Sequence, residues 1–326
     1  MLRVKAMEIS VVVPTFNRKE TVKRCLATVF SQRLPASQLE VIAVVDGSTD
    51  GTAAELRRLE PWCDFRVIEQ ENRGLAGARN TGFRAARSGL VLFLDDDMLC
   101  DPHLVARHIQ AHKDRDGLVA FGAIFLSEDS PPSLAAECFH RELGAFSLRQ
   151  KQTPALAWKL TDCVFSNSSI ACNLLAEAGG FDENFRMRED LELAVRLASC
   201  GVDFHFLADA VAWQYYDKTS SDLIRDAHAF ARADAEFARK HPELELEGQV
   251  VWLRRQTGWK HRLQRRIARH PAIVDILLAP FCGMAEKGIH IPAVRNAGVR
   301  ALQIRRRIHW LHTVTALGAL KATGSQ

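Results

Sequence analysis

The stretch Leu90-Val91-Leu92-Phe93-Leu94-Asp95-Asp96-Asp97 sets five apolar residues directly before three carboxylates. A short uninterrupted apolar run suits a strand covered on both faces, as in a parallel sheet flanked by helices. Open α/β sheets bind ligands at the carboxyl ends of such strands, which is where Asp95–Asp97 fall. Three adjacent carboxylates repel one another, and a folded chain tolerates them best with a cation among them. A D-x-D spacing can hold Mg²⁺ or Mn²⁺, with the diphosphate of a substrate completing the octahedron. A solvated acidic turn before a helix starting at Asp101-Pro102 accounts for the same residues. The surrounding chain decides between the two.

Upstream, strand and helix signals alternate. Residues 8–14 read as a buried strand ended by Pro14, and Thr15–Arg18 as a polar turn. Between Thr21 and Gln32 the residues Val22, Leu26, Val29 and Phe30 share a helix face. Leu39–Val45 is a second strand, stopped by Asp46-Gly47-Ser48-Thr49-Asp50-Gly51-Thr52, where Asp50 or Thr52 can cap the next helix. Phe65–Ile68 is a third strand, and Asn72–Gly82 leads into a helix. This alternation argues for a doubly wound, mostly parallel sheet. Gly77 and Gly82 have the spacing of a phosphate loop, but Phe83-Arg84 stands where Lys-Ser/Thr is required. No G-x-G-x-x-G follows the first strand. An NTPase and a dinucleotide-dependent dehydrogenase are both disfavoured.

Downstream, His103–His112 reads as a helix and Gly117–Phe125 as a strand. Residues 127–165, rich in Ser, Pro and aromatics, read as an irregular substrate-binding segment. A strand at Phe165–Ile170 and a short helix to Gly179 follow. Arg188–Leu197 is an amphipathic helix ending at Gly201, with acids in its first turn. Asp203–Leu207 and Ala210–Trp213 read as edge strands or loops. From Asp222 to Lys240 the pattern is helical. Beyond it Trp252, Trp259 and Leu263 interleave with Arg254, Arg255, Lys260, Arg262, Arg265, Arg266 and Arg269. Ala272–Ala285 is apolar, but Asp275 and Pro280 interrupt it, and it is too short and broken to span a bilayer. Arg295–Leu320 is a further basic amphipathic segment.

The 326 residues, 47% hydrophobic and 25% charged, are ordinary globular material for one large α/β domain with an appendage, or for two domains. The net charge of +4 is unevenly spread: residues 251–326 hold 14 Lys and Arg against two acids, leaving residues 1–250 net acidic. Eight cysteines include no C-x-x-C pair, so a reduced compartment fits best and no zinc site is indicated. Met1–Lys5 precede no apolar core of signal-peptide length. These features predict a cytoplasmic protein, peripheral on the cytoplasmic face of the membrane.

In order and spacing, several motifs resemble family 2 glycosyltransferases of the GT-A fold, over roughly residues 8–215. They are Pro14-Thr15-Phe16-Asn17-Arg18, Asp46–Gly51, Asn72 with Gly74 and Arg79-Asn80, Asp95–Asp97, Gly180-Phe181-Asp182-Glu183, and Glu189-Asp190. The resemblance implies a GT-A catalytic domain over 1–220, with a nucleotide-binding half about 8–100 and an acceptor half about 101–220. A helical basic region would occupy 221–326. It implies that Pro14, Phe16, Arg18 and Asp46 bind the nucleotide-sugar, the Asp46 carboxylate accepting from the base. Arg79 approaches the base or a phosphate, or forms a surface salt bridge. Asp95 reaches the ribose, Asp96 lies near the sugar, and Asp97 holds Mn²⁺ or Mg²⁺. Asp190 is the general base, while Glu189 and Asn167 belong to the acceptor region, with a turn-stabilising role open for Asn167.

The implied reaction is an inverting transfer from a nucleoside-diphosphate sugar, a UDP-sugar before GDP or dTDP, to a glycan or lipid-linked acceptor in polysaccharide or glycolipid synthesis. One base, one metal and no protein nucleophile give a single in-line displacement. One departure stands out. Many relatives carry a histidine after the last edge strand, where this chain has Gln214, a weaker ligand for a hard cation. His205, between Phe204 and Phe206, reads as structural. A degenerate, non-catalytic GT-A module and a sugar nucleotidyltransferase are the alternatives; the latter lacks its glycine-rich loop after Val13. Basic helices with Trp and Leu opposite suit a membrane interface, or a subdomain with a solvated basic face. No recognition motif predicts nucleic-acid binding.

Overall fold

The computed structural model describes residues 8–113, 115, 117–152, 159–242, 244, 250, 253, 256 and 258–320. The readings on Met1–Lys5, on residues 153–158 and on Trp252, Arg254 and Arg255 lie outside the described residues.

The first four apolar runs form strands at Ile9–Thr15 (β1), Leu39–Asp46 (β2), Asp64–Gln70 (β3) and Leu90–Leu94 (β4). Helices Lys19–Val29 (α1), Thr52–Leu56 (α2) and Gly74–Ala85 (α3) connect them. β1 pairs in parallel with β2 and β4, and β2 with β3. Every residue of β1 and β2 is buried, as central strands require. Pro14 does not end β1: it pairs with Val44 inside the strand. Pairing with β4 runs only to Val12, so β1 is an edge on that side by Pro14, a setting that tolerates proline.

The second half of the sheet is mixed. Met98–Cys100 (β5), Leu118–Leu126 (β6), Asn167–Ala171 (β7) and Asp203–Gln214 (β8) complete the order β3-β2-β1-β4-β7-β6-β8-β5. β7 is antiparallel to both β4 and β6, β8 is parallel to β6, and β5 is antiparallel to β8. The two edge pieces expected at 203–207 and 210–213 are one interior strand. Its register against β6 jumps from Gly122↔Leu207 to Ala123↔Val211, and the residues that bulge out there break the alternation in sequence. The helices of this half are Leu104–His112 (α4), Leu134–Phe139 (α5), Ala145–Gln152 (α6), Cys172–Glu177 (α7) and Glu189–Ser199 (α8).

The expectation of an irregular 127–165 is therefore corrected. Ser133 caps α5 by accepting from the Ala136 N–H at 3.0 Å, and a π-helical turn over His140–Gly144 leads into α6. These helices are too short and mixed in face to show a helical period. Under the β4 end of the sheet, Phe165 packs edge-to-face on Phe93, Phe121 and Phe181, and Phe93 on Phe181, nearest centroids 5.3 Å apart.

Two compact units result. One is the chain up to Asp129 together with Leu143–Tyr215; the other is Ser130–Glu142 together with the chain from Tyr216 onward. The second unit is helical: Ser220–Lys240 (α9), Trp259–Ile267 (α10), Pro271–Lys287 (α11) and Pro292–Ala316 (α12). Thr219 and Asp222 form a reciprocal capping box at the start of α9. Ala231, Val274, Ile308, Leu311 and Val314 are among the residues that build its core. Among the described residues no single helix is long and apolar enough to cross a membrane.

Candidate active site

The chain turns sharply after β4. The Asp95 N–H donates to the Ser166 carbonyl at 3.2 Å, and the Met98 N–H to the Asp95 carbonyl at 3.1 Å. This turn sends the three carboxylates to different partners. Asp96 accepts from Thr15 Oγ1 at 2.7 Å and from Arg18 at 2.9 Å. Asp97 Oδ2 accepts from Arg18 and from Gln214 Nε2, each at 3.1 Å. Gln214 stands at the end of β8, and the next N–H, of Tyr215, donates to the Asp97 carbonyl at 2.8 Å. Asp97 Oδ1 is buried with no hydrogen-bond partner. Burial pushes Asp96 up to about 7 and raises Asp97, with Arg18 opposing both.

Arg79, on α3, joins this turn to α8. Its side chain is 1% exposed and lies over the Phe181 ring at 5.3 Å. One terminal nitrogen donates to Asp190 at 2.6 Å and to Glu189 at 3.3 Å; the other donates to Asp95 at 2.9 Å. Burial alone would disfavour the guanidinium, but Asp190, Asp95 and Glu189 together hold its pKa above the usual value. One cation thus serves three carboxylates. Burial, then Asp190, pushes Glu189 up to about 7, and burial raises Asp190 against the pull of Arg79. The Asp190 side chain keeps 20% of its surface open against 7% for Glu189, so Asp190 is the more accessible of the pair. Its other oxygen accepts from the Phe165 N–H at 3.1 Å. Arg188, directly before this pair, is held at φ 66°, a left-handed conformation that L-residues adopt at a cost.

At the neighbouring strand ends, Asp46 lies at the C-terminus of β2 and is buried. It accepts from Gln70 Nε2 at 2.7 Å and from the Arg73 and Gly74 N–H groups at 2.8 Å each, which anchors the start of α3. Gly47, at φ 78°, could not carry a Cβ: the atom would stand 2.9 Å from the Asn72 nitrogen. The Asn17 side chain accepts from the Thr49 N–H at 2.7 Å, tying the loop after β1 to the loop after β2. Phe16 is exposed in that loop, whereas Pro14 is buried inside β1.

Two motifs serve the scaffold. Asn80 donates to the Phe181 carbonyl and to Glu183 and accepts from the Phe181 N–H, all at 2.9 Å. Arg73 pairs with the same Glu183 at 2.6 Å. The Gly180–Glu183 loop is thereby clamped to α3 under the Phe181 ring that supports Arg79. Asn167, read as an acceptor residue, is fully buried in β7. Its amide donates to the Ala123 and Ala210 carbonyls at 3.2 and 3.0 Å, and its oxygen faces His108 Nε2 at 3.0 Å. It closes the gap beside the β8 bulge and is not brought to the carboxylates. Burial lowers His108 to about 3, leaving it neutral.

The structure therefore gathers Arg18, Arg79, Asp95, Asp96, Asp97, Glu189, Asp190 and Gln214 into one cluster. Sequence reading missed Thr15 as a partner of Asp96, and it missed Arg79 as the link between the two acidic motifs. Among the described residues no three His, Cys, Asp or Glu side chains converge to hold a metal. The turn instead offers the unpartnered Asp97 Oδ1 with Gln214 beside it. Mg²⁺ and Mn²⁺ are commonly held by one or two carboxylates plus substrate phosphates, so this donor set fits a cation that arrives with a diphosphate.

Known proteins resemble this chain in sequence and in fold. An uncharacterized glycosyltransferase of Bacillus subtilis, YfnE, is 39% identical over 119 residues, covering 36% of this chain and 30% of that protein. The validoxylamine A glucosyltransferase of Streptomyces hygroscopicus subsp. jinggangensis is 29% identical over 276 residues, 72% of this chain and 61% of its own length. The chain thus spans less than two thirds of these relatives. Among solved structures, the mannosyltransferase PcManGT from Pyrobaculum calidifontis, in complex with GDP-Man and Mn²⁺, superposes with a TM-score of 0.59 at 21% identity. That match covers 92% of this chain and 87% of PcManGT, and the fold is the expected GT-A fold. The model of glycosyl transferase family 2 matches residues 10–178, from β1 through the carboxylate turn to the end of α7. Matched over just over half of its length, the chain belongs to glycosyl transferase family 2.

Proposed function

We propose that this protein transfers a sugar from a nucleoside-diphosphate sugar to an acceptor hydroxyl with inversion at the anomeric carbon. The observation that carries this reading is the shared guanidinium of Arg79, which brings Asp190 and Asp95 to opposite sides of one donor group. A carboxylate able to take a proton then lies beside the strand end where a donor diphosphate would sit. In the reaction, the acceptor oxygen attacks the anomeric carbon as its proton passes to Asp190, and the bond from that carbon to the diphosphate oxygen breaks. Burial strengthens Asp190 as a base, while the Arg79 and Phe165 hydrogen bonds fix its direction. Asp97, with Gln214, would hold a divalent cation, which when bound offsets charge on the leaving diphosphate. Phe16 and the Asp46 loop would receive the nucleoside. The fold neighbour's GDP-Man makes GDP a candidate beside UDP.

The test pairs binding with turnover. Thermal unfolding is followed with UDP, GDP, dTDP and CDP, each with and without Mn²⁺, and donor consumption is then measured with the nucleotide that stabilises. A metal-dependent stabilisation of roughly 2.7 kcal/mol is expected at a hundredfold excess over Kd. Asp190→Asn should keep that stabilisation and lose about 10²–10⁴-fold in kcat. Retained turnover in the Asn variant would remove Asp190 as the base. A product with the donor's anomeric configuration would exclude the single displacement.

A further inference from the structure

We propose that the outward faces of α10 and α11 form a docking surface for an anionic lipid bilayer. The helix α11 is apolar on its solvent face as well as on the face that packs into the core. Its solvent face runs through Ala272, Ile273, Ile276, Leu277, Pro280, Gly283 and Met284 and ends at the exposed Lys287, with Ile276 74% and Leu277 68% exposed. Its acids point the other way. Asp275 accepts from Arg305 Nε and faces His309 Nε2, each at 2.9 Å. Glu286 accepts from the Leu134 N–H at 3.0 Å and from Ser220 Oγ at 2.9 Å. A surface helix ordinarily turns its charged residues to the solvent face. An uncharged apolar stripe of this length marks a surface that something apolar covers.

The neighbouring helix says what covers it. On α10, Trp259, Leu263 and Ile267 recur every fourth residue and are exposed. Lys260, Arg262 and Arg266 are exposed beside them, and α10 carries no acid. Apolar residues flanked by cations and a tryptophan match the acyl–headgroup boundary, where the stripe enters the apolar layer and the cations meet anionic headgroups. The axes of α10 and α11 differ by 87°. With that bend and the basic residues of α10, the pair suits a position in the interface rather than a span. A second copy of the chain fits less well: the α10 cations would find no acid on the same face, because α10 has none and Asp275 and Glu286 of α11 are engaged elsewhere. A nucleic acid would answer the cations and leave the apolar stripe wet.

The surface uses no residue of the carboxylate site, so its failure would leave the proposed transfer reaction untouched. The test uses the full chain in flotation assays with phosphatidylcholine vesicles, with and without about one third phosphatidylglycerol, at low and high salt. The protein should float with the anionic vesicles, and less so at high salt. The double variant Ile276→Lys, Leu277→Lys should lose about tenfold or more in partitioning, with unchanged thermal unfolding and an unchanged nucleotide response. Arg262→Glu with Arg266→Glu should remove the preference for the anionic lipid. Wild-type protein that stays out of the floated fraction at low salt would overturn the proposal. So would a double variant that floats as well as wild type. A dimer in light scattering that the double variant dissolves would make a second copy the occupant instead.

Discussion

Glu189 sits against Arg79 with almost no access to solvent, and like Asp96 it is a carboxyl whose proton pH should move near neutrality. Burial raises this carboxyl to about 7. Between the ordinary glutamate range and that value the folded state holds a proton that the unfolded state has released. Stability should therefore fall as pH rises through that window and level off above it. In metal-free buffer, Glu189→Gln should flatten this fall by about 1–3 kcal/mol between pH 5 and pH 8, read from urea unfolding at several pH values. An unchanged slope would mean that Glu189 is not held protonated. The carboxylates themselves were legible in the sequence, because each acidic motif is local: Asp95–Asp97 ends an apolar run, and Glu189-Asp190 opens a helix. Their common partner was not. Arg79 lies among small residues of a glycine-containing helix, and only the packing of α3 against the sheet reveals that it is buried and that two distant acidic motifs converge on it.

The elements of the first half were legible for the same reason. The strands β1 and β2 are fully buried, β4 is nearly so, and α1 between the first two carries a clear face. Beyond Leu126 the local signal is diluted. The bulge opposite Gly122 splits one interior strand into two apparent pieces, and short helices stand where the composition suggested a loop. The resemblance places Asn167 in the acceptor region with a turn-stabilising role open, and its amide spans the gap that the bulge leaves. The packing of α3 on β1 offers a test at this scale. A Cβ on Gly82 would overlap Val12 Cγ1, and a β-branched neighbour has little rotamer freedom to yield. Gly82→Ala should destabilise by about 1–3 kcal/mol in urea unfolding. A neutral substitution would show that α3 can shift away from the sheet without loss.

At the scale of the whole molecule, the chain leaves the first unit at Ser130, builds α5 into the second unit, and returns at Leu143. Leu134, Ala135, Ala136 and Cys138 are buried, and a Cβ on Gly298 of α12 would already touch Leu134. A chain ended after Lys218 keeps every residue of the carboxylate cluster but leaves α5 without the helices it packs on. It should appear in the insoluble fraction on expression, and Leu134→Ser with Cys138→Ser should restore solubility. A soluble, monomeric truncation with the native apolar residues in place would contradict this account. The same excursion has a consequence during synthesis. Its partner α12 is made about 150 residues after α5, on the order of ten to thirty seconds later at translation rates of about 5–20 residues per second. For that interval the nascent chain carries a finished apolar face without its largest cover. The second unit therefore assembles only once α12 has been made, and α5 is the segment that a chaperone at the ribosome would find first.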